Sequence, residues 1–480
     1  MGADTTSTVN SSTGGHLKKG IRLYHATALV VGSIIGASIF VQPSEVTGSV
    51  PSLGGAILVW ILAGVLSFFG ALVAAELAST FPETGGVYCY LREAFSPLMG
   101  FMWGWAMFWT IHTGVLAAVA MVFARYLAYF IPIGDFGVKW AAFGAIAFLT
   151  WVNYLGVKHG SNLQAAFTVA KVVAIFLIIA AGFALGADGP GAPELVANAA
   201  TATDAATTTA AAAAPEMEAT ARDAGFFGGA SLQDFIIALV AGLFAFGGWH
   251  MVTFNAGETH SPRFTIPRAL TFGVLTVTVC YALLNALYFY LLPVEVVIAS
   301  DRVAADAADA VVGYGGAIMS GLVVFSAFGA LSGIVLAGPR VYYAMARDGL
   351  LFGWFARLHP SRGTPHRALW LQAAWAFVLI MTGSYRVLFT RAIYTEWIFF
   401  GLMTVGLFMF RRRQGLTREY SIWGYPVVPA VFGIATVAIV LNQVIADPAE
   451  SALGLGTVLL GVPVYLLWAK RGYARVTEVS

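Results

Sequence analysis

Gly32-Ser33-Ile34-Ile35-Gly36-Ala37-Ser38-Ile39-Phe40 interrupts the first long apolar segment of the chain with glycines and hydroxyls. A second interruption, Phe244-Ala245-Phe246-Gly247-Gly248-Trp249, falls about half a chain later inside another apolar segment. Unwound backbone persists in a bilayer only where protein or a water-filled cavity shelters it, because an orphaned N–H or C=O costs several kcal/mol in hydrocarbon. Two broken helices at corresponding places in two halves of a chain point to a binding site built from half-helix ends.

The composition around these breaks requires a membrane. The chain is 59% apolar and 10% charged, with mean hydropathy +0.79. A water-soluble domain carries about 25% charged residues, so this chain lacks the polar groups to cover itself in water. Apolar runs of spanning length recur at roughly 23–43, 53–80, 98–130, 139–157, 163–185, 232–257, 268–292, 313–338, 367–382, 392–410, 426–445 and 453–469. Period-two alternation is missing, which argues against an outer-membrane barrel. The expectation is an all-α integral membrane protein of about twelve transmembrane helices.

Basic residues predict its orientation. With the N-terminus in the cytoplasm, 19 of the 26 Lys and Arg lie in inner loops and tails, among them Arg92, Arg347, Arg362 and Arg411 to Arg413. Five lie in outer loops (Lys139, Arg222, Arg302, Arg386 and Arg391), and Arg125 and Lys171 fall within spans. The positive-inside rule therefore predicts cytoplasmic termini in a cell (plasma or inner) membrane. A net charge of +2 gives no reason to expect a nucleic-acid partner. The two cysteines, Cys89 and Cys280, imply no disulfide framework. Residues 1–17 lack a basic start, and the first apolar segment is too long for a cleavable signal.

The placement of the breaks divides the chain. The reading is a cytoplasmic tail over 1–22, a five-helix block over 23–185, an Ala/Thr-rich outer loop over 186–231, and a second five-helix block over 232–382. Residues 392–469 add the last helices, and 470–480 form a cytoplasmic tail. The loop contains Ala-Thr-Ala-Thr-Asp-Ala-Ala-Thr-Thr-Thr and Ala210 to Ala214, a low-complexity composition that predicts poor order.

The first break, followed by Pro43, resembles the first-helix signature of the amino acid–polyamine–organocation transporters. Ala75-Glu76-Leu77, Phe81-Pro-Glu-Thr-Gly-Gly-Val-Tyr88 and Ala94-Phe95 are similar to that family's second helix and first inner loop. Phe244 to Trp249 with Glu258 resembles the sixth helix of the L-type amino acid branch, and Phe328-Gly-Ala-Leu-Ser-Gly333, Arg340 and Arg347-Asp-Gly349 resemble the eighth. The resemblance covers roughly residues 20–425 in order. It implies a LeuT-like five-plus-five inverted repeat with helices one and six unwound, followed by two extra helices. It further implies a secondary carrier of α-amino acids working by alternating access, and no enzyme, metal or cofactor. An exchanger, or an organic amine or polyamine carrier of the same fold, is the alternative.

On this resemblance Ile35, Gly36, Ala37, Ser38 and Ile39 meet the substrate carboxylate. Ile34, Phe244, Ala245, Phe246 and Gly247 meet the ammonium, with Gly248 and Trp249 beside them and Phe244 as outer gate. The physics agrees, because N–H groups at a half-helix start attract an anion and freed carbonyls accept from a cation. Packing notches between helices would use the same glycines. Where the family pattern has glycine this chain has Ser38 after Ala37, which narrows the cavity; His250 stands where the branch usually has Asn. Small to medium neutral substrates follow, since no membrane carboxylate is evident beside the site to select cations.

Lys171 is the sharpest single residue. It lies about two turns inside the fifth span, and the resemblance implies that this is where sodium-coupled relatives bind a cation between helices one and eight. An ammonium there replaces the ion, either as a permanent tie from the carbonyls near Gly36 to the Ser332 region or as a carrier of coupled protons, the remaining reading being a passive lysine that snorkels to its cytoplasmic interface. Sodium coupling is thereby disfavoured, and protons join the amino acid and the lipid bilayer as expected partners. His112 and His250 are candidate site-lining groups. Glu76 is expected in an inner network with Arg340, and Glu258 near Arg263. Glu396 reads as lying close to the outer surface. The resembled L-type branch often pairs with a heavy chain through a cysteine in the loop after helix three; that loop here, Ile131 to Val138, holds no cysteine, so no disulfide-linked heavy chain is expected.

Overall fold

The computed structural model describes residues 19–36, 38–155, 157–185, 227–300, 302–383 and 385–470, so Ala37 and nearly all of the Ala/Thr-rich loop fall outside it. Among the described residues the regular structure is helical apart from one isolated bridge, Ile21 to Thr259. Eleven helical stretches among the described residues are long and apolar enough to cross a membrane. His366–Thr382, at 17 residues, falls just short of that length and occupies the place expected for the ninth span.

The first span is α-helical over Leu23–Ile34, breaks, makes one 3-10 turn at Ser38–Phe40 and resumes at Gln42–Ser49. The second runs Leu53–Thr80, capped by Ser52, whose hydroxyl accepts from the Gly55 N–H at 3.1 Å. The third starts at Pro97 after an Ser96 cap and includes a π-helical turn at Met107–Ile111, a feature no local sequence signal announced. The fourth and fifth are Gly134–Leu155 and Val157–Leu185.

The sixth span begins at a capping box between Ser231 and Asp234, is α-helical over Leu232–Ala245, and continues after its break as a 3-10 helix, Trp249–Glu258. Pro262–Leu291 and Gly315–Arg347 form the seventh and eighth. Tyr385–Arg412 and Val427–Ala446 are the tenth and eleventh, and Pro448–Leu459 with Gly461–Lys470 make the twelfth.

Spans one, two, six and seven pack together, and three, four, eight and nine form a second group. The fifth span bridges the groups through contacts to one and eight, and the tenth through contacts to two and three.

Candidate functional site

The two breaks meet each other. Gly248 has φ +100°, a conformation that L side chains rarely adopt, and a Cβ there would lie 2.9 Å from the Ser33 carbonyl oxygen. Glycine is therefore needed twice over, for the left-handed turn and for the close approach of the broken sixth span to the first. At the other break Ile35 takes φ −71° and ψ 84°, an inverse γ-turn in which the Gly36 N–H donates to the Ile34 carbonyl at 2.7 Å.

Polar side chains from three spans hold the carbonyls that this turn frees. Lys171 Nζ donates to the Gly32 carbonyl at 2.8 Å and to the Ile35 carbonyl, and the residue is 3% exposed. From the seventh span the Tyr281 hydroxyl lies 2.9 Å from the Ile34 carbonyl and 3.1 Å from that of Ala245, so one O–H spans both breaks. From the eighth, Ser326 Oγ donates to the Gly36 carbonyl at 3.3 Å. The Ile34 oxygen thus has two donors already, and a substrate ammonium would find its acceptors at the sixth-span end, where Ala245 shares only the Tyr281 hydroxyl. Ser38–Phe40 begins a new turn whose first N–H groups have no partner within it, which suits an anion.

Aromatic groups close the space. Phe246 is fully buried, its ring 4.9 Å from that of Tyr281, with Trp60 meeting Tyr281 edge-on at 5.9 Å. Phe244 is buried, and so are Ile34, Ile35, Gly36, Ser38 and Ile39. Gly247 alone of the described break residues is partly exposed. Trp249 turns away, packing on Phe400 of the tenth span at 4.9 Å and beside Gly70 of the second. Ala37 lies outside the described residues.

Lys171 belongs to a polar stripe, since Gln164, Thr168 and Lys171 follow helical spacing on one face of the fifth span. Thr168 Oγ1 lies 3.1 Å from the Ala28 carbonyl, which makes the stripe a row of side-chain contacts to successive turns of the first span. A Cβ on Gly32 would stand 2.1 Å from Thr168 Oγ1, so this approach excludes any larger residue. The Ser332 hydroxyl, fully buried, makes no hydrogen bond, and the tie from Lys171 to Ser332 is replaced by the bonds of Lys171 to the first span.

The other titratable groups pair differently from the sequence-based expectations. Glu258 and Arg340 are both almost wholly buried, with Arg340 Nη2 3.4 Å from each carboxylate oxygen. Arg263 instead pairs with Glu419 at 2.6 Å. Glu76 accepts from Arg411 at 2.5 Å and from the Ile422 N–H at 2.8 Å, so its partner is Arg411 and not Arg340. Charge complementarity fixes such pairs only after folding has brought the residues together, and sequence proximity does not reveal it. The Glu258 carbonyl also accepts from the N–H groups of Gly20 and Ile21, which lays the start of the chain across the end of the sixth span.

His112 is buried, with Nε2 2.8 Å from the Ile334 carbonyl. That carbonyl lies beside Pro339, which has no N–H for the Val335 carbonyl one turn back. Arg340 supports the same stretch from within by donating to the Leu336 carbonyl. His250 stands 3.2 Å from Glu396 Oε1, and both are buried. Glu396 is thus deep in the protein and not at its outer surface, because the tenth span starts seven residues earlier than the apolar run suggested. Tyr281, Ser326 and Glu396 are the functional candidates that the sequence did not single out. Only Glu396, an acid inside an apolar run, left a readable signal. Among the described residues no three His, Cys, Asp or Glu converge as metal ligands.

The family model described as amino acid permease matches residues 21–465. The serine/threonine exchanger SteT of Bacillus subtilis (strain 168) is 30% identical over 460 residues, covering 95% of this chain and 98% of the relative. The human cystine/glutamate transporter is 27% identical over 463 residues, 95% of this chain and 87% of the relative. The rat large neutral amino acids transporter small subunit 2 is 29% identical over 481 residues, 97% of this chain and 84% of the relative.

Proposed function

Because the chain belongs to the amino acid permease family, we propose that it is a sodium-independent carrier of small to medium neutral α-amino acids, with Lys171 in place of a bound cation. Its relatives are transporters and exchangers of amino acids, and it is a multi-pass membrane transporter rather than an enzyme. One observation carries the mechanism: Lys171 Nζ binds two carbonyls of the first break, the Gly32 and Ile35 carbonyls, from a buried position. A sodium ion seeking those oxygens would meet an ammonium already bound to them.

The substrate carboxylate is held at the start of the Ser38–Phe40 turn, and its ammonium at the carbonyls that close the Leu232–Ala245 helix. Phe244 covers it from the outer side. Moving the bundle of spans one, two, six and seven against spans three, four, eight and nine opens the site to each side in turn. The buried Glu258–Arg340 pair closes the arginine-rich face. The charge distribution supports a plasma- or inner-membrane location with both termini in the cytoplasm.

Counterflow in proteoliposomes tests the reading. Preloading with a neutral amino acid should accelerate uptake of the same labelled amino acid with no sodium present. Uptake that needs a sodium gradient, or no trans-stimulation by any amino acid, overturns it. Obligatory exchange is the second reading, favoured by the 30% identity to a serine/threonine exchanger. Uptake into empty vesicles driven by a proton gradient separates symport from it.

A further inference from the structure

The carrier mechanism above leaves one buried pair unused. His250, two residues beyond the left-handed Gly248, places Nε2 3.2 Å from Glu396 Oε1 on the tenth span, with side-chain exposures of 1% and 5%. The surroundings are aromatic: the imidazole meets Trp103 edge-on at 6.2 Å, Trp249 at 5.5 Å, Phe254 at 5.3 Å and Phe400 at 5.1 Å. Such a box offers an isolated carboxylate or imidazolium nothing to replace water, and lone charges in this setting are costly.

The pair is neutral only when it holds one proton, whether as imidazolium and carboxylate or as imidazole and carboxylic acid. A second proton leaves a charge of +1 in the box and loss of the first leaves −1. The orientation also matters. Nε2 and Oε1 are close, yet their alignment is not that of a hydrogen bond, so a small shift of either span can make or break the contact.

We propose that His250 and Glu396 form a proton-binding site that fastens the broken half of the sixth span to the tenth. The inference rests on the alternating-access reading only in assigning the sixth span to the moving body. The neighbouring groups do not supply the proton balance. His112 on the third span is engaged with the Ile334 carbonyl. Arg340 on the eighth faces Glu258 at the other end of the same 3-10 helix, Glu76 on the second is bound by Arg411, and Tyr281 on the seventh bridges the two breaks. Tyr88 and Arg92, on the short helix Val87–Ala94, are both bound to Asp348. Of the other titratable side chains there, Tyr90 carries a phenol that burial keeps un-ionised at ordinary pH, Cys89 bonds to the Thr84 carbonyl and Glu93 accepts from Arg92.

The test uses the full-length carrier in detergent and in liposomes. Infrared difference spectra between acidic and alkaline buffer should contain a carboxyl band that Glu396→Gln removes and Lys171→Ala retains. The pH profile of counterflow should flatten in Glu396→Gln and in His250→Asn, each of which strands the other group. The double variant His250→Asn, Glu396→Gln strands no charge, so it should recover at least half of the wild-type rate while staying flat. A wild-type pH profile in the double variant, or an unchanged carboxyl band in Glu396→Gln, overturns the proposal. Counterflow of the wild type at one pH scores the carrier reading separately, because the infrared band does not depend on transport.

Discussion

Lys171 and Tyr281 do related work with different chemistry. The lysine satisfies two carbonyls of one break, and the tyrosine lies within reach of one carbonyl at each break. Lys171→Ala leaves the Gly32 and Ile35 carbonyls without these donors, and net hydrogen bonds to charged groups are worth about 1.5–3 kcal/mol each. Uptake should fall at least about tenfold, a factor that corresponds to about 1.4 kcal/mol, and any dependence on a proton gradient should vanish. Proton-driven uptake that survives in Lys171→Ala would assign the coupling elsewhere. Tyr281→Phe keeps the ring contacts with Phe246 and Trp60 and removes one hydroxyl, at a cost of about 1 kcal/mol. Its expected signature is weaker substrate binding in a thermal-shift titration, with the unliganded melting temperature lowered by only a few degrees.

At the scale of the element, the break in the sixth span depends on Gly248. Gly248→Ala should lower stability by about 2–4 kcal/mol, combining left-handed strain with forced contact against the Ser33 carbonyl. Gly247→Ala meets only the Phe244 carbonyl, at 3.1 Å, and has no positive φ, so it should cost less. Thermal unfolding of the two variants in detergent checks the order, and equal losses would refute it. Both breaks were legible in the sequence because glycine and hydroxyl residues inside an apolar run are local signals. So were most of the spans, since apolar length is local too. The 3-10 form of Trp249–Glu258 and the π-turn at Met107–Ile111 were not, because tertiary packing chose them. The ion pairs were equally hidden. Glu76 and Arg411 are 335 positions apart, and several arginines of similar composition compete for each acid.

At the scale of the whole molecule, closure of the arginine-rich face and orientation in the membrane are one question. The chain start, through Gly20 and Ile21, bonds to the Glu258 carbonyl, while the Glu258 side chain faces Arg340. Removing one partner of a buried pair costs about 3–5 kcal/mol because the other charge stays behind. Glu258→Ala should therefore destabilise the closed state and leave Arg340 open to the side from which that face is wetted. The side itself can be read with cysteines. Cys89 and Cys280 are both free and buried, and burial pushes the Cys89 thiol up, away from the reactive thiolate, so background labelling should be low. Ser361 and Tyr314 are exposed beyond the two ends of the eighth span, the first in the arginine-rich loop that follows it and the second just before it. In intact cells an impermeant maleimide should modify Tyr314→Cys and spare Ser361→Cys until the membrane is permeabilised. The opposite pattern would place the arginines outside and invert the direction assigned to every gate, leaving the geometry of the two breaks untouched.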